Sequence, residues 1–249
     1  MPTPYKRSWL DTFQIHSYES DFSTRASVSS LLQYMQESAW NHAEHLELGY
    51  SHLIKKNLAW VLARLSLQIE ALPVWHENII VRTFPSGRDK LFAYRDFHIS
   101  SEQGNVLVLG TTTWFVIDIN RRRPQRTDSY FHLNEWGEYD HAYHGFAAKV
   151  KALEEPDSIS QRRVYYSDLD VNGHVNNVKY LEYILDSFAL DFFKTHDLKQ
   201  LDMNFLNEAF YKDRIEIRTQ QSQENYVHSL FRDNGKTELC RAKTNWEKR

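Results

Sequence analysis

Cysteine is almost missing from the 249-residue chain. Cys240 stands alone, which excludes an internal disulfide and any cysteine-rich zinc cluster. That usage suits a reducing compartment, and the cytoplasm is the expected one. Glycine (8) and proline (6) are scarce, so long flexible linkers are not expected. Long apolar runs are lacking as well. The longest uncharged stretch, 105–117, is broken by Gly110 and three threonines and falls short of the ~18 apolar residues that suggest a membrane span. Residues 1–7 show no apolar core of a signal peptide. Nor does charge of one sign accumulate: a net charge of −3 gives no reason to expect a nucleic-acid partner.

What is present is an ordinary globular balance, 41% hydrophobic and 25% charged, with 14% aromatics spread along the chain. It also contains a repeat. Ser20-Asp21-Phe22 with Val28 lines up on Ser167-Asp168-Leu169 with Val175. Residues 65–83 line up on 201–219, where Ile79, Val81, Arg82 and Thr83 fall on Ile215, Ile217, Arg218 and Thr219. Thr113-Trp114 falls on Asn245-Trp246.

Each copy opens with a strand-like stretch, 9–18 in the first and 162–167 in the second. A helix follows, marked by apolar residues at three-to-four spacing. In the first copy these are Val28, Leu31, Leu32, Met35, Ala39 and Leu46; in the second, Val178, Leu181, Ile184, Leu185, Phe188 and Phe192. Ser27 and Asn176 are suitable N-caps. Strands are predicted at 59–70, 77–84, 91–100 and 106–119, then at 202–208, 213–221, 225–231 and 237–245, with turns at Gly104 and Asp233-Asn234-Gly235. The pattern predicts an α+β tandem hotdog: two long helices, each wrapped by antiparallel sheet. Residues 1–135 form the first half, 136–160 a connecting segment and 161–249 the second half. Some helix is expected within 127–160, which is long for a loop.

The two copies differ where chemistry would sit. Under this alignment Asp170, Asn172 and His174 replace Ser23, Arg25 and Ser27, and Glu208 replaces Leu72. Carboxylate, amide and imidazole are the groups needed to activate water and hold an oxyanion. The i, i+2, i+4 spacing predicts an extended segment with its three polar side chains on one side. The start of helix two, with unpaired backbone amides, follows directly. Glu208 is expected at the end of the next strand. A calcium loop is a rival reading of Asp168-x-Asp170-x-Asn172-Gly173, but its twelfth position, which needs a bidentate Glu, is Lys179.

Residues 167–186, SDLDVNGHVNNVKYLEYILD, closely resemble the fatty acyl–acyl carrier protein (acyl-ACP) thioesterases. The likeness extends over 113–126 and 201–213 and, more loosely, over the N-terminal copy. It implies hydrolysis of acyl-ACP to free fatty acid, with no metal or organic cofactor. It carries catalytic roles onto Asp170, Asn172, His174 and Glu208, and makes the N-terminal half an acyl tunnel without catalytic residues. Many members have a cysteine after the acid; here Ala209 stands there, so a cysteine nucleophile is unsupported. Glu208 or Asp170 then acts as base on water, or Asp170 attacks the thioester directly. Trp40, Trp60, Leu62 and Leu65 are candidate tunnel residues. The implied partner, acyl carrier protein, is acidic, and Arg121-Arg122-Arg123 with Arg126, or Arg162-Arg163, are candidate docking patches. An acyl-CoA thioesterase or a non-catalytic acyl-binding protein are the alternatives, and either a monomer or a homodimer is compatible with two fused units.

Overall fold

In a computed structural model of the chain, residues 7–127, 141–143, 145–222 and 225–249 are described. The chain divides into two units, Met1–Ala147 and Ala148–Arg249. In the first, β1 (Trp9–Gln14) leads through a 3-10 turn at Ser17–Glu19 into α1 (Val28–His45) and a short α2 (Tyr50–Leu53). Then come β2 (Leu58–Ile69), β3 (Asn78–Arg88), β4 (Phe92–Ser101), β5 (Val106–Asp118) and β6 (Arg123–Gln125). The pairings are antiparallel in the order β1-β3-β4-β5-β2, with β6 on β5.

The second unit repeats this plan. β7 (Ser158–Arg163) leads through a 3-10 turn at Tyr166–Asp168 into α3 (Asn177–Leu185) and α4 (Leu190–Thr195). The strands β8 (His196–Phe205), β9 (Arg214–Ser222), β10 (Asn225–Arg232) and β11 (Thr237–Lys248) follow, in the order β7-β9-β10-β11-β8. Each unit is thus a hotdog: a helix over an antiparallel sheet.

Strand register makes the repeat concrete. Phe13 lies opposite Ile79 as Arg162 lies opposite Ile215, and Leu65 opposite Thr112 as Leu201 opposite Thr244. Trp114 Nε1 donates to Thr112 Oγ1 at 2.8 Å, and Trp246 Nε1 donates to Thr244 Oγ1 at 2.9 Å. The same tryptophan-threonine bond recurs in both units.

Helix α1 starts where the sequence predicts, since Ser27 Oγ accepts from Ser30 N at 3.0 Å. Asn176 Oδ1 likewise accepts from Val178 N at 2.9 Å at the start of α3. Such a cap contributes ~1 kcal/mol. Leu31, Leu32 and Met35 are buried on α1, which packs against β1 and β3. A Cβ on Gly110 of β5 would stand 2.8 Å from Met35 Cε, so the strand passes close under this helix because the position has no side chain.

Three local expectations change. The second helix does not run on to Phe192: it stops at Leu185, where Asp186 caps it, Ser187 Oγ bonds Ile184 O and Ala189 is extended. Phe188 and Phe192 keep their apolar role by joining Tyr226 and Trp246 in an aromatic cluster. Strand β8 ends at Phe205, so Glu208 belongs to the loop that follows. Of the segment 127–160, residues 141–143 and 145–157 carry no helix, while 128–140 and 144 lie outside the described residues.

Candidate active site

The segment carrying Asp170, Asn172 and His174 is a closed turn rather than an extended strand. Leu169 and Val175 bridge its base, Asp170 N donates to His174 O at 2.8 Å, and Gly173 N donates to Asp170 O at 3.0 Å. Asp170 Oδ1 accepts from the backbone amides of Asn172 (2.8 Å) and His174 (3.3 Å). Its Oδ2 lies 3.4 Å from Asn172 Nδ2. A short carboxylate that reaches the amides two and four residues on competes well against extension. Gly173 completes the turn at φ +76°, where a side chain would be strained.

The turn points His174 at Glu208. His174 Nδ1 stands 3.4 Å from Glu208 Oε1, and the two side chains retain 30% and 31% of their surface, so both are reachable from solvent. The imidazole also meets the ring of Phe210 edge-on at 5.2 Å, and the Arg232 guanidinium lies over that ring at 5.6 Å.

Glu208 is held although it lies beyond its strand. Leu206 N and Asn207 N both donate to Leu239 O. The next residue, Ala209, is fully buried, with its N–H donated to Tyr180 Oη at 3.1 Å and its carbonyl accepting from Val175 N at 3.0 Å. Phe210 N donates to Asp213 Oδ2 at 2.9 Å. The loop is therefore tied at one side to the turn that carries His174 and at the other to α3. Burial first, with nearby Cys240, Glu208 and Asp213 adding to it, pushes the Tyr180 phenol pKa up, so this hydroxyl keeps its proton.

The first unit contains the same turn without the same chemistry. Asp21 Oδ1 accepts from Ser23 N at 2.7 Å and Arg25 N at 3.1 Å, Ser20 and Ala26 bridge the base, and Thr24 takes φ +60°. Asp21 therefore corresponds to Asp170, two residues beyond the partner assigned from sequence. Glu19 corresponds to Asp168, since each closes its 3-10 turn in a capping box. Tyr34 and Tyr183 accompany these two acids, and in both the phenol pKa is pushed up, by burial above all. The turn-building aspartate is thus common to both units. The differences between units are Asn172 for Ser23, His174 for Arg25, Glu208 for Leu72 and Tyr180 for Leu31. Tyr180 escapes a sequence reading because it sits on the apolar stripe of α3; only the corrected alignment exposes it.

Cys240 takes no part in this group. It is fully buried on β11, and burial pushes its thiol pKa up, away from the reactive thiolate. Among the described residues no three His, Cys, Asp or Glu side chains cluster as a metal site, and no helix is long and apolar enough to cross a membrane. Of the candidate tunnel residues, Trp40 is exposed and stacks on Tyr50, Leu65 is buried and Leu62 is half-buried. Trp60 packs on Leu53, Leu58 and Val116 and donates to Leu48 O at 2.9 Å. Arg121, Arg122, Arg123 and Arg126 are exposed around the β5–β6 turn, whereas Arg162 is paired with Asp186 and lies over Tyr183.

Comparison with known proteins gives consistent matches. The acyl-ACP thioesterase N-terminal domain matches residues 6–132 and the acyl-ACP thioesterase C-terminal domain matches residues 151–248. A chloroplastic palmitoyl-acyl carrier protein thioesterase of Gossypium hirsutum is 30% identical over 94% of this chain and 62% of its own length. A chloroplastic oleoyl-acyl carrier protein thioesterase of Arabidopsis thaliana is 25% identical over 92% of this chain and 68% of its own. The chain spans about three-fifths of the length of the first of these, so the relative has further sequence outside the match. Among solved structures, an acyl-ACP thioesterase from Bacteroides thetaiotaomicron superposes with a TM-score of 0.89 at 23% identity, covering 97% of this chain and 98% of that one. The 12:0-ACP thioesterase from Umbellularia californica gives 0.88 at 22% identity, covering 99% and 100%. These two share the fold.

Proposed function

This chain belongs to the acyl-ACP thioesterase family, and on that premise we propose that it hydrolyses fatty acyl thioesters of acyl carrier protein to free fatty acid, with catalysis in the C-terminal unit and chain-length selection in the N-terminal one. The observation that carries the reading is the imidazole–carboxylate pair His174–Glu208, placed at 3.4 Å, where the sister unit has Arg25 and Leu72.

In this mechanism Glu208 takes a proton from water, and the hydroxide adds to the thioester carbonyl. Asn172 Nδ2 and the positive N-terminal end of α3 stabilise the oxyanion. The carbon–sulfur bond breaks as His174 gives a proton to the departing thiolate. Glu208 then releases its proton to solvent, where His174 recovers one. Asp170 acts as a positioning residue: it closes the turn and orients Asn172. Cys240 supplies no nucleophile. The lone buried cysteine suits a reducing compartment, the cytoplasm in the simplest case, although the curated relatives above carry chloroplastic names.

Glu208→Gln and His174→Ala test the pair. Each should lower kcat on acyl-ACP by about 10²–10⁴-fold with an unchanged melting temperature. Because the two groups act as a unit, the double variant should lose little more than the worse single one. Near-normal turnover in Glu208→Gln would remove this base from the scheme.

A further inference from the structure

The C-terminal unit carries a knot of cations that its sister lacks. Arg163, the last residue of β7, lies directly opposite Arg214, the first residue of β9. Lys212 joins them, its backbone N–H bonded to Val164 O at 3.2 Å. All three side chains are exposed, and none has a carboxylate partner among the described residues. The nearest acid in sequence, Asp213, is committed to the Phe210 amide, and Lys212 Nζ lies over the Tyr211 ring at 5.1 Å.

Like charges directly opposite each other in an antiparallel pair are destabilising. The fold does not require them. At the equivalent positions of the first unit Gln14 lies opposite Asn78, and His76 stands where Lys212 does. The same ladder therefore forms with neutral amides. Among the described residues β7 is the outer strand of its sheet, so the cluster lies at an edge. Exposed Tyr165, Tyr166 and Tyr211 border it. The loop that ends at Lys212 begins just before Glu208, so the cations sit at one end of the segment that carries the proposed base.

We propose that Arg163, Lys212 and Arg214 form the docking site for the acidic carrier protein that presents the acyl thioester. This rests on the function proposed above and assigns its partner surface. Opposed cations at an edge are neutralised when an acidic protein docks, and such pairing steers encounter and fixes orientation. Arg162, bound to Asp186, is not part of the site.

Titration calorimetry of holo-acyl carrier protein against the full chain tests this without relying on turnover. Arg163→Glu/Arg214→Glu should weaken binding by about tenfold or more, and wild-type affinity should fall steeply with added salt. Arg163→Gln/Arg214→Asn, which installs the sister unit's residues, should weaken binding in the same direction while matching or exceeding the wild-type melting temperature. Hydrolysis of an acyl-ACP and of an uncharged acyl-pantetheine supplies the second reading. The charge-reversed chain should lose about tenfold more kcat/KM on the first than on the second. Wild-type carrier affinity in both double variants would overturn the proposal, as would equal losses on the two substrates. So would millimolar inorganic phosphate displacing the carrier completely, since that marks a simple phosphate site. Carrier binding without any hydrolysis by the wild type would instead count against the catalytic reading and leave the docking site standing.

Discussion

Asp170 and Asp21 build the same turn in two units, and only the second has His174 and Glu208 at positions that Arg25 and Leu72 fill in the first. Their substitution should therefore separate structure from chemistry. Asp21→Asn and Asp170→Asn each retain one acceptor oxygen for the turn amides, so both should cost about 1 kcal/mol or less and shift melting alike. Only Asp170→Asn should lose turnover. It turns the acceptor facing Asn172 Nδ2 into a donor, rotates that amide and removes an oxyanion donor, a change worth about 10²–10³-fold in kcat. A single turnover in ¹⁸O-water tests for an anhydride on Asp170 that water opens at the aspartyl carbon: with Asp170 only positioning, label should enter the fatty acid at once. An unlabelled first product, with label retained on Asp170, would make the aspartate a nucleophile. At this scale the sequence was readable in kind but not in alignment. The Ser-Asp dipeptide drew Asp21 onto Asp168, because residue identity does not distinguish an acid that closes a 3-10 turn from one that builds the next turn. The shift concealed Tyr180, whose counterpart Leu31 marks it as specific to the second unit.

The elements were more legible than the side chains within them, because apolar periodicity reports burial directly. Ser27 and Asn176 cap the helices they were expected to cap, and the β-strands differ from expectation mainly at their ends, except that the strand expected at 162–167 lies earlier, at Ser158–Arg163. The break between α3 and α4 was not legible, since Phe188 and Phe192 have helical spacing and are used for a different contact. They pack around Tyr226, Trp246 and His228, at whose position the first unit has Phe97. His228 accepts or donates to Thr219 Oγ1 at 2.9 Å and Thr244 Oγ1 at 3.1 Å, and burial pulls its pKa from 6.5 down to about 3. The sign follows from linkage. As pH falls below 6.5 the unfolded chain binds a proton that the folded chain refuses, so stability is lost progressively down to about pH 3. His228→Phe removes this penalty. The melting-temperature difference between wild type and His228→Phe, measured from pH 8 to pH 4, should shift in favour of the variant as the pH drops, by on the order of a few kcal/mol in stability. A difference independent of pH would mean that His228 is not the group that titrates.

At the level of the whole molecule, two units share one register and differ in the chemistry each presents, so lesions in each should have different signatures. Under the proposed mechanism, a defect in the second unit's His174–Glu208 pair acts on the carbonyl, which every acyl substrate presents identically. Glu208→Gln should therefore lower kcat/KM by a similar factor for short and long chains. A defect in the first unit acts, under the proposed division of labour, on the hydrocarbon tail. Trp60 is a suitable probe: it is half-buried against Leu53, Leu58 and Val116, and its indole N–H is fixed to Leu48 O. Trp60→Ala removes a large ring that the neighbours refill only in part, at a cost of up to about 3 kcal/mol. If that space receives the end of the acyl tail, the ratio of kcat/KM for long over short acyl-ACPs should rise, since each additional methylene buried adds about 0.8 kcal/mol of binding. Each methylene is thus worth roughly fourfold at most. The ratio, unlike the absolute rate, is insensitive to a lower fraction of folded enzyme. A chain-length profile parallel to that of the wild type, in protein shown by its melting curve to be folded at the assay temperature, would separate Trp60 from tail recognition and leave it to core packing.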